Sequence, residues 1–386
     1  MDGVFMSLKD QVQYRVIEEF RSREFNRSEA ARKLDLTERT ITRKTNAVRR
    51  RGFAGIKHGN SKRSPRNKIL AAVRDFYLNL YRTKYSKFNF KHALQFIFER
   101  ESPPASVCYT TFRLWCRSEG LGKVKARRRS KAHISRERSA NEGHQLQLDG
   151  SPEAWNGVDV WCLLATIDDA TSDIPGAKFE PTETTWGCMD LMRSVVERKG
   201  RPEFVVTDRA GWSARPGCKR QHFSQFVRAC RELDITVIAT SSPESKGRIE
   251  RTNRTFQDRL IAELDFHGIK SMADSNRYLE QVFLPDWRTR FGVEPSSDAT
   301  RYRPVDASIK LEDVFCLKET RVVNRGHSIS YKAETYVLNP GRHGSLWRKE
   351  IVVHEYRNGE FKIFYAGEAI SYSQMAKPGR RWRMGA

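Results

Sequence analysis

Near residue 140 the sequence changes its period, and that switch divides the chain into regions that cannot share one fold class. Before it, apolar residues recur at helical spacing: Val12, Val16, Ile17 and Phe20, then Ala30, Ala31 and Leu34, then Ile41 and Val48. After it come short β-rich stretches at 144–149 (HQLQLD), 158–167 (VDVWCLLATI) and 173–180 (DIPGAKFE). Charge divides at the same place. Residues 1–140 carry 34 basic and 13 acidic side chains, whereas the rest of the chain carries 36 and 34. The front third thus holds nearly all of a formal net charge of +23. Such a concentrated basic region suits a polyanion better than a small metabolite. No uncharged apolar run is long enough to span a bilayer, and the start MDGVFMSLKD lacks the basic and apolar regions of a signal peptide. A cytoplasmic chain with access to DNA and no membrane partner is therefore expected. The seven cysteines are scattered without a C-x-x-C pair, which indicates neither a zinc module nor a disulfide framework; they are expected as small core residues.

Residues 1–60 are expected to form an all-α helix-turn-helix domain. Asp35 and Leu36 make the turn, Thr37 caps the third helix, and Arg39, Arg43 and Lys44 face outward towards DNA. Residues 61–122 are expected to form a second helical, helix-turn-helix-like domain. Its helices run from Ile69 to Tyr81, from Phe90 to Glu101, and from a Ser106 cap to Gly120. Two inert bundles with solvated basic faces are the plainer alternative. Helix-turn-helix spacing and basic excess are independent signals, however, and together they favour double-stranded DNA. Residues 123–140 hold eight Lys and Arg side chains between 123 and 138 and read as a basic linker, with Arg127, Arg128 and Arg129 on phosphates.

Beyond the three strands, the pattern gives a helix from Thr184 to Arg198, a strand ending at Asp208, a helix from Gln221 to Leu233, the strand ITVIATS, and a long helix reaching Leu264. An antiparallel meander followed by strand and helix in alternation implies a mixed sheet with helices on its faces, the order of an RNase H-like α/β core, over 141–300. Residues 315–372 are strand-rich, and Asn358-Gly359 signals a type I′ hairpin, so a small β-barrel is expected there, followed by a basic tail at 373–386.

This strand order brings Asp149 and Asp208 to adjacent strands and Glu250 to the helix that follows. Three carboxylates in one pocket repel one another unless divalent cations neutralise them, and oxygen donors suit Mg²⁺ or Mn²⁺. Two such ions support in-line displacement at phosphorus without a protein nucleophile. Each residue also has an ordinary explanation. Asp149 and Asp208 are reasonable strand-end residues, and Glu250 can pair with Arg254 one turn on. Glu244 is the rival third carboxylate, but six residues along a helix turn it about 240° away from Glu250. Asp168 and Asp169 read as hairpin residues. Lys246 and Arg248 are expected on DNA phosphates. Trp155 is expected in the core, with base stacking as its alternative. His354-Glu355 lacks the second histidine of a zincin motif, and no Walker-type phosphate loop is present, so no nucleotide cofactor is expected.

The segments QLQLDGSPEAW, TIDDATSDIPGAKFEPTETT, VVTDRAG and SSPESKGRIERTNRTFQDRL resemble those of the DDE transposases and retroviral-type integrases, most closely the ISNCY-type insertion-sequence transposases. The most specific element is Pro243, Gly247, Ile249 and Glu250 at the family's spacing. The resemblance implies Asp149, Asp208 and Glu250 as the metal-binding catalytic triad, with two Mg²⁺ or Mn²⁺ ions. It also implies helix-turn-helix units on terminal inverted repeats, a C-terminal barrel that touches DNA, and a homo-oligomer that cleaves element ends and joins the 3′-hydroxyl to target DNA. The interval from Asp208 to Glu250 exceeds the retroviral one through WSARPGCKRQ, and the retroviral His/His/Cys/Cys zinc module is absent. The competing readings are an inactive, domesticated DNA-binding regulator and an RNase H-like nuclease without strand transfer.

Overall fold

The computed structural model of the protein describes residues 7–57, 68–122, 137–208, 224–240 and 243–375. The chain forms two compact units, Met1–Asp75 and Phe76–Ala386. In the first, α1 (Leu8–Arg21), α2 (Arg27–Leu34) and α3 (Glu38–Arg51) start at Ser7, Asn26 and Thr37, whose side chains each accept a hydrogen bond from a backbone N–H three residues on. Asp35 takes the left-handed conformation at φ 52° and turns α2 into α3. Val16, Ala30, Ala31 and Ile41 form one core cluster, and Ile17, Val48 and Ile56 another. Val12, expected inside, is exposed.

α4 (Ala71–Thr83) runs across the boundary at Asp75, and α5 (Phe90–Arg100) and α6 (Tyr109–Ser118) follow it in the second unit. The N-cap of α6 is Cys108, not the expected Ser106, and its side chain makes no capping hydrogen bond. Residues 76–122, read from the sequence as part of a unit of their own, share a packed face with α9 (Pro243–Phe266). Phe266 stacks on Tyr85 and meets Phe88 and Phe96 edge-on. Below them lies a buried polar cluster: Glu263 accepts from Tyr278 Oη at 2.7 Å and stands 2.8 Å from His92 Nε2, while Arg259 donates to Gln95 at 3.0 Å. Burial holds the His92 imidazole below its ordinary value of 6.5, so unfolding takes up a proton and this packing weakens as pH falls below that value. Glu263→Ala leaves Tyr278 without its acceptor inside the fold and His92 without its neighbouring carboxylate, and should cost about 2 kcal/mol. Urea unfolding of the full chain measures it; an unchanged midpoint would remove the cluster from the account.

The central sheet has the order β3-β2-β1-β4-β5. Its strands are β1 (Gln145–Glu153), β2 (Trp161–Asp168), β3 (Gly176–Glu180), β4 (Phe204–Thr207) and β5 (Thr236–Ala239). β1, β2 and β3 are antiparallel neighbours, and β4 runs parallel to β1 and β5. This is the RNase H-like mixed sheet that the sequence implies. β2 is buried along its whole length, and apolar from Trp161 to Ala165, because both its faces are covered. Cys162 and Leu164 join Leu146 and Leu148 against α7 (Thr185–Lys199) and α8 (Gln225–Glu232), while Leu163, Ala165 and Ile167 join Ile249, Phe256 and Leu260 of α9. The expected start of α8 at Gln221 lies outside the described residues. Five of the six described cysteines are buried, and Cys108 is exposed. After α9, α10 (Met272–Tyr278) and α11 (Leu284–Phe291) are joined through a π-helical turn at Leu279–Phe283, and a single helical turn, α12 (Leu311–Val314), leads into the final strands. No described helix is long and apolar enough to cross a membrane.

The expected C-terminal β-barrel is instead a pair of open sheets around one core. The first has the order β11-β10-β9-β6 and the second β12-β8-β7. Their strands are β6 (Leu317–Val322), β7 (Ser328–Tyr331), β8 (Glu334–Leu338), β9 (Glu350–Glu355), β10 (Phe361–Tyr365), β11 (Glu368–Ile370) and β12 (Tyr372–Gln374). β11 and β12 are separated only by Ser371 yet pair with different sheets, so the chain turns a corner there and the described ladders do not close. The hairpin at Asn358-Gly359 forms, but only Gly359 has positive φ, at 85°. Gly359 N–H donates to the Tyr356 carbonyl and Tyr356 N–H to that of Glu360, the three-residue loop with a glycine bulge, in place of the expected type I′ turn.

Candidate active site

The segment QLQLDGS folds as a strand with two characters. Alternation sends Leu146 and Leu148 into the core beneath α7 and α8, and leaves Gln147, Asp149 and Ser151 facing α9. All three bind that helix. Gln147 Oε1 accepts from Ile249 N–H at 3.1 Å, Asp149 Oδ2 from Asn253 Nδ2 at 3.0 Å, and Ser151 Oγ from Gln257 Nε2 at 3.0 Å. The parallel pairing Gln147 with Val206 sets the position of Asp208, two residues further along β4, beside Asp149, two residues further along β1. Asp149 is thus mid-strand in β1 rather than near its end, but it lies where β4 stops.

Lys246 joins the two carboxylates. Its Nζ lies 2.9 Å from Asp149 Oδ1 and 3.7 Å from Asp208 Oδ2, with the lysine side chain 10% exposed. Glu250 follows one turn along α9 and is partly buried. Burial pushes the Asp149 carboxyl above its ordinary range; the Lys246 ammonium opposes this, and the Asp208 and Glu250 charges add to it. The structure therefore brings Asp149 and Asp208 together at one cation, while Glu250 lies one turn beyond Lys246 on α9, where its charge bears on Asp149. Among the described residues no group of three or more His, Cys, Asp or Glu side chains stands close enough together to hold a metal ion. The donors still fit a divalent ion: all are carboxylate oxygens, Asp208 is 43% exposed, and a cation already occupies the space between two of them.

Two residues expected on DNA phosphates point elsewhere. Lys246 is buried against Asp149, because two unneutralised carboxylates attract its ammonium more strongly than solvent does. Arg248 donates from Nε to Asp169 Oδ1 at 2.7 Å, with its side chain 18% exposed. Asp169, read as a hairpin residue, is fully buried and also accepts from Ser139 N–H and Gln147 Nε2 at 2.8 and 3.0 Å. Its neighbour Asp168 does cap the turn, accepting from the backbone of Gly143, Ala170 and Thr171. In the first unit Arg39 and Arg43 are exposed on α3, as expected. Lys44 instead turns inward and donates to Gln13 Oε1 and the Ile56 carbonyl, and desolvation lowers its pKa. Arg127, Arg128, Arg129, the loop WSARPGCKRQ and the side chain of Glu244 lie outside the described residues. Trp155 is fully buried and donates to the Ser151 carbonyl at 3.2 Å, as a core residue.

The sequence reading missed Asn253 and Gln147. Both carry a periodic signal: Asn253 lies three residues after Glu250 on the face of α9 that holds Lys246, and Gln147 precedes Asp149 by two on the same face of β1.

Comparison with known proteins finds relatives that align over most of this chain. A protein described as transposase y4bF of Sinorhizobium fredii is 30% identical over 362 residues, which cover 91% of this chain and 78% of that protein. The transposase for insertion sequence IS1202 of Streptococcus pneumoniae is 27% identical over 84% of this chain and 77% of its own length. Among solved structures, a chain of the simian T-cell lymphotropic virus intasome in complex with PP2A regulatory subunit B56 gamma is 15% identical, with a TM-score of 0.34, over 77% of this chain and 96% of that one. No protein-family model matches the sequence.

Proposed function

The chain belongs to the insertion-sequence transposases, and on that premise we propose that its mixed-sheet core cleaves DNA at element ends and joins the freed 3′-hydroxyl to target DNA. The observation that carries the proposal is the meeting of Asp149 and Asp208 around one cation, with Glu250 a turn away on α9. In this reading Asp149, Asp208 and Glu250 hold Mg²⁺ or Mn²⁺. Two such ions would favour deprotonation of the attacking water or 3′-hydroxyl and stabilise the leaving oxygen. Asn253 fixes one oxygen of Asp149 and leaves the other for the cation, while Gln147 fixes α9 at Ile249, next to Glu250. The greater exposure of Asp208 marks the side from which a phosphodiester approaches.

DNA capture falls to the basic helical regions, in which Arg39 and Arg43 of α3 and Arg127, Arg128 and Arg129 of the linker contact phosphates or bases. Residues 61–122 and the C-terminal sheets supply further contacts in this reading. Replacing both Arg39 and Arg43 by Ala should weaken binding to terminal-repeat duplex about tenfold or more, and lower the slope of log affinity against log salt by about 2 if both reach phosphates. Fluorescence anisotropy at several salt concentrations reads both quantities; unchanged affinity and slope would take α3 off the DNA. Two ends must be processed together, so a dimer or larger complex forms on DNA. Light scattering of the end complex tests this, and a strictly monomeric complex would oppose it.

The function itself is tested with labelled duplex carrying the flanking ends of the protein's own gene, incubated with purified chain and Mg²⁺ or Mn²⁺. Cleaved ends joined to a second duplex are expected. Cleavage with no joining of a pre-cut 3′-end would identify a nuclease instead.

A further inference from the structure

Lys246 has a place that neither phosphate contact nor ordinary helix solvation explains. Its four-carbon stem crosses from α9 into the carboxylate pocket, and its ammonium stands 2.9 Å from Asp149 and 3.7 Å from Asp208. The opposite oxygen of Asp149 is held by Asn253, which leaves the lysine-bound oxygen as the one turned towards the shared space. A divalent ion held by Asp149 and Asp208 would compete with the ammonium for these carboxylates. An ammonium and a divalent cation cannot both occupy that shared space, because their repulsion at such a distance in a partly desolvated site is several kcal/mol in scale.

We propose that Lys246 is a built-in counter-ion that keeps the carboxylates assembled before metal arrives and is displaced when metal enters. The inference rests on the metal site proposed above and concerns its regulation. It assigns Lys246 two opposed effects. In the metal-free protein the ammonium offsets the repulsion among Asp149, Asp208 and Glu250, so it stabilises the fold. During metal binding it competes, so it raises the ion concentration the site requires. Once released, the flexible side chain carries its charge out of the pocket, and its stem is long enough for the ammonium to reach the mouth of the site, where the substrate phosphate would lie.

The test measures Mn²⁺ binding to the full chain without DNA by isothermal titration, together with thermal unfolding in EDTA and in Mn²⁺. Wild type, Lys246→Met, Lys246→Arg and Asp208→Asn are compared. Lys246→Met should melt lower in EDTA, gain more from Mn²⁺ than wild type, and bind the ion about tenfold more tightly, since it removes a competing unit charge from the site. Lys246→Arg keeps a cation with a stronger grip on carboxylates and should bind Mn²⁺ no better than wild type. That comparison stands even if the Met variant does not fold. Equal Mn²⁺ affinity in wild type and Lys246→Met would overturn the proposal, as would tighter binding by Lys246→Arg. Failure of the metal site itself looks different: wild type would then show no Mn²⁺ binding that Asp208→Asn removes.

Discussion

Asp208→Asn should abolish metal-dependent cleavage and joining of element-end DNA, a fall of at least about a thousandfold, while the protein folds and binds DNA much as wild type does. The magnitude follows from what the substitution removes. Asn keeps the volume and one carbonyl oxygen but loses the charge that a divalent ion would need, and in the proposed reaction the in-line displacement would rely on such ions at the attacking and leaving oxygens. Stability should change little, because Asp208 is 43% exposed and its contact with Lys246 is the longer of the two. Activity and stability are thus separated by one residue. Product formation above about one percent of wild type, with melting unchanged, would remove Asp208 from the reacting centre.

The second large effect is expected at Asp169, in the fold and not in the chemistry. Its carboxylate is completely buried and receives hydrogen bonds from Ser139, Gln147 and Arg248, so it ties the entry to β1, β1 itself and α9 at one point. Asp169→Ala leaves the Arg248 guanidinium, 18% exposed, without that acceptor inside the protein, along with two further donors. Breaking a buried charged pair on one side costs about 3–5 kcal/mol. Because Gln147 also accepts from Ile249 N–H, loss of Asp169 should loosen the helix position that carries Glu250. Hydrogen exchange across residues 246–253 should quicken in the variant, and denaturant unfolding should show the loss of stability. A change in midpoint corresponding to less than about 1 kcal/mol would mean that Arg248 finds another partner at little cost.

The sheet was legible in the sequence because its strands carry unequal patterns. HQLQLD alternates, WCLLATI is apolar on both faces, and EFVVTD is a short buried run, and these three patterns correspond to a strand with one polar face, the middle of a meander and a parallel strand. The proposed carboxylates Asp149, Asp208 and Glu250 came from the order of strands and helices along the chain and from the resemblance carried by the Pro-x-x-x-Gly-x-Ile-Glu spacing; of these the structure brings Asp149 and Asp208 to one cation. The directions of Lys246, Arg248 and Lys44 were not legible. Composition places a cation on an outer face by default, whereas each of these has an acceptor 12 or more residues away that only the tertiary fold supplies. Asp169 was misread for the same reason: its turn is local, but its partners at Gln147 and Arg248 are not. The C-terminal strands were found, but the closed barrel expected of them was not, since a one-residue corner at Ser371, which splits the series into two open sheets, leaves no signal in the strand pattern.

The proposed function requires that Asp149, Asp208 and Glu250 surround the divalent ion. The most direct measurement replaces that ion with Fe²⁺ and, with ascorbate and peroxide, lets the radicals it generates cut the nearby backbone of the full chain. Fragments ending close to residues 149, 208 and 250, suppressed by excess Mg²⁺ and absent from Asp208→Asn, are expected. Cuts confined to other segments, or cuts at these positions that Mg²⁺ and the substitution leave unchanged, would contradict it.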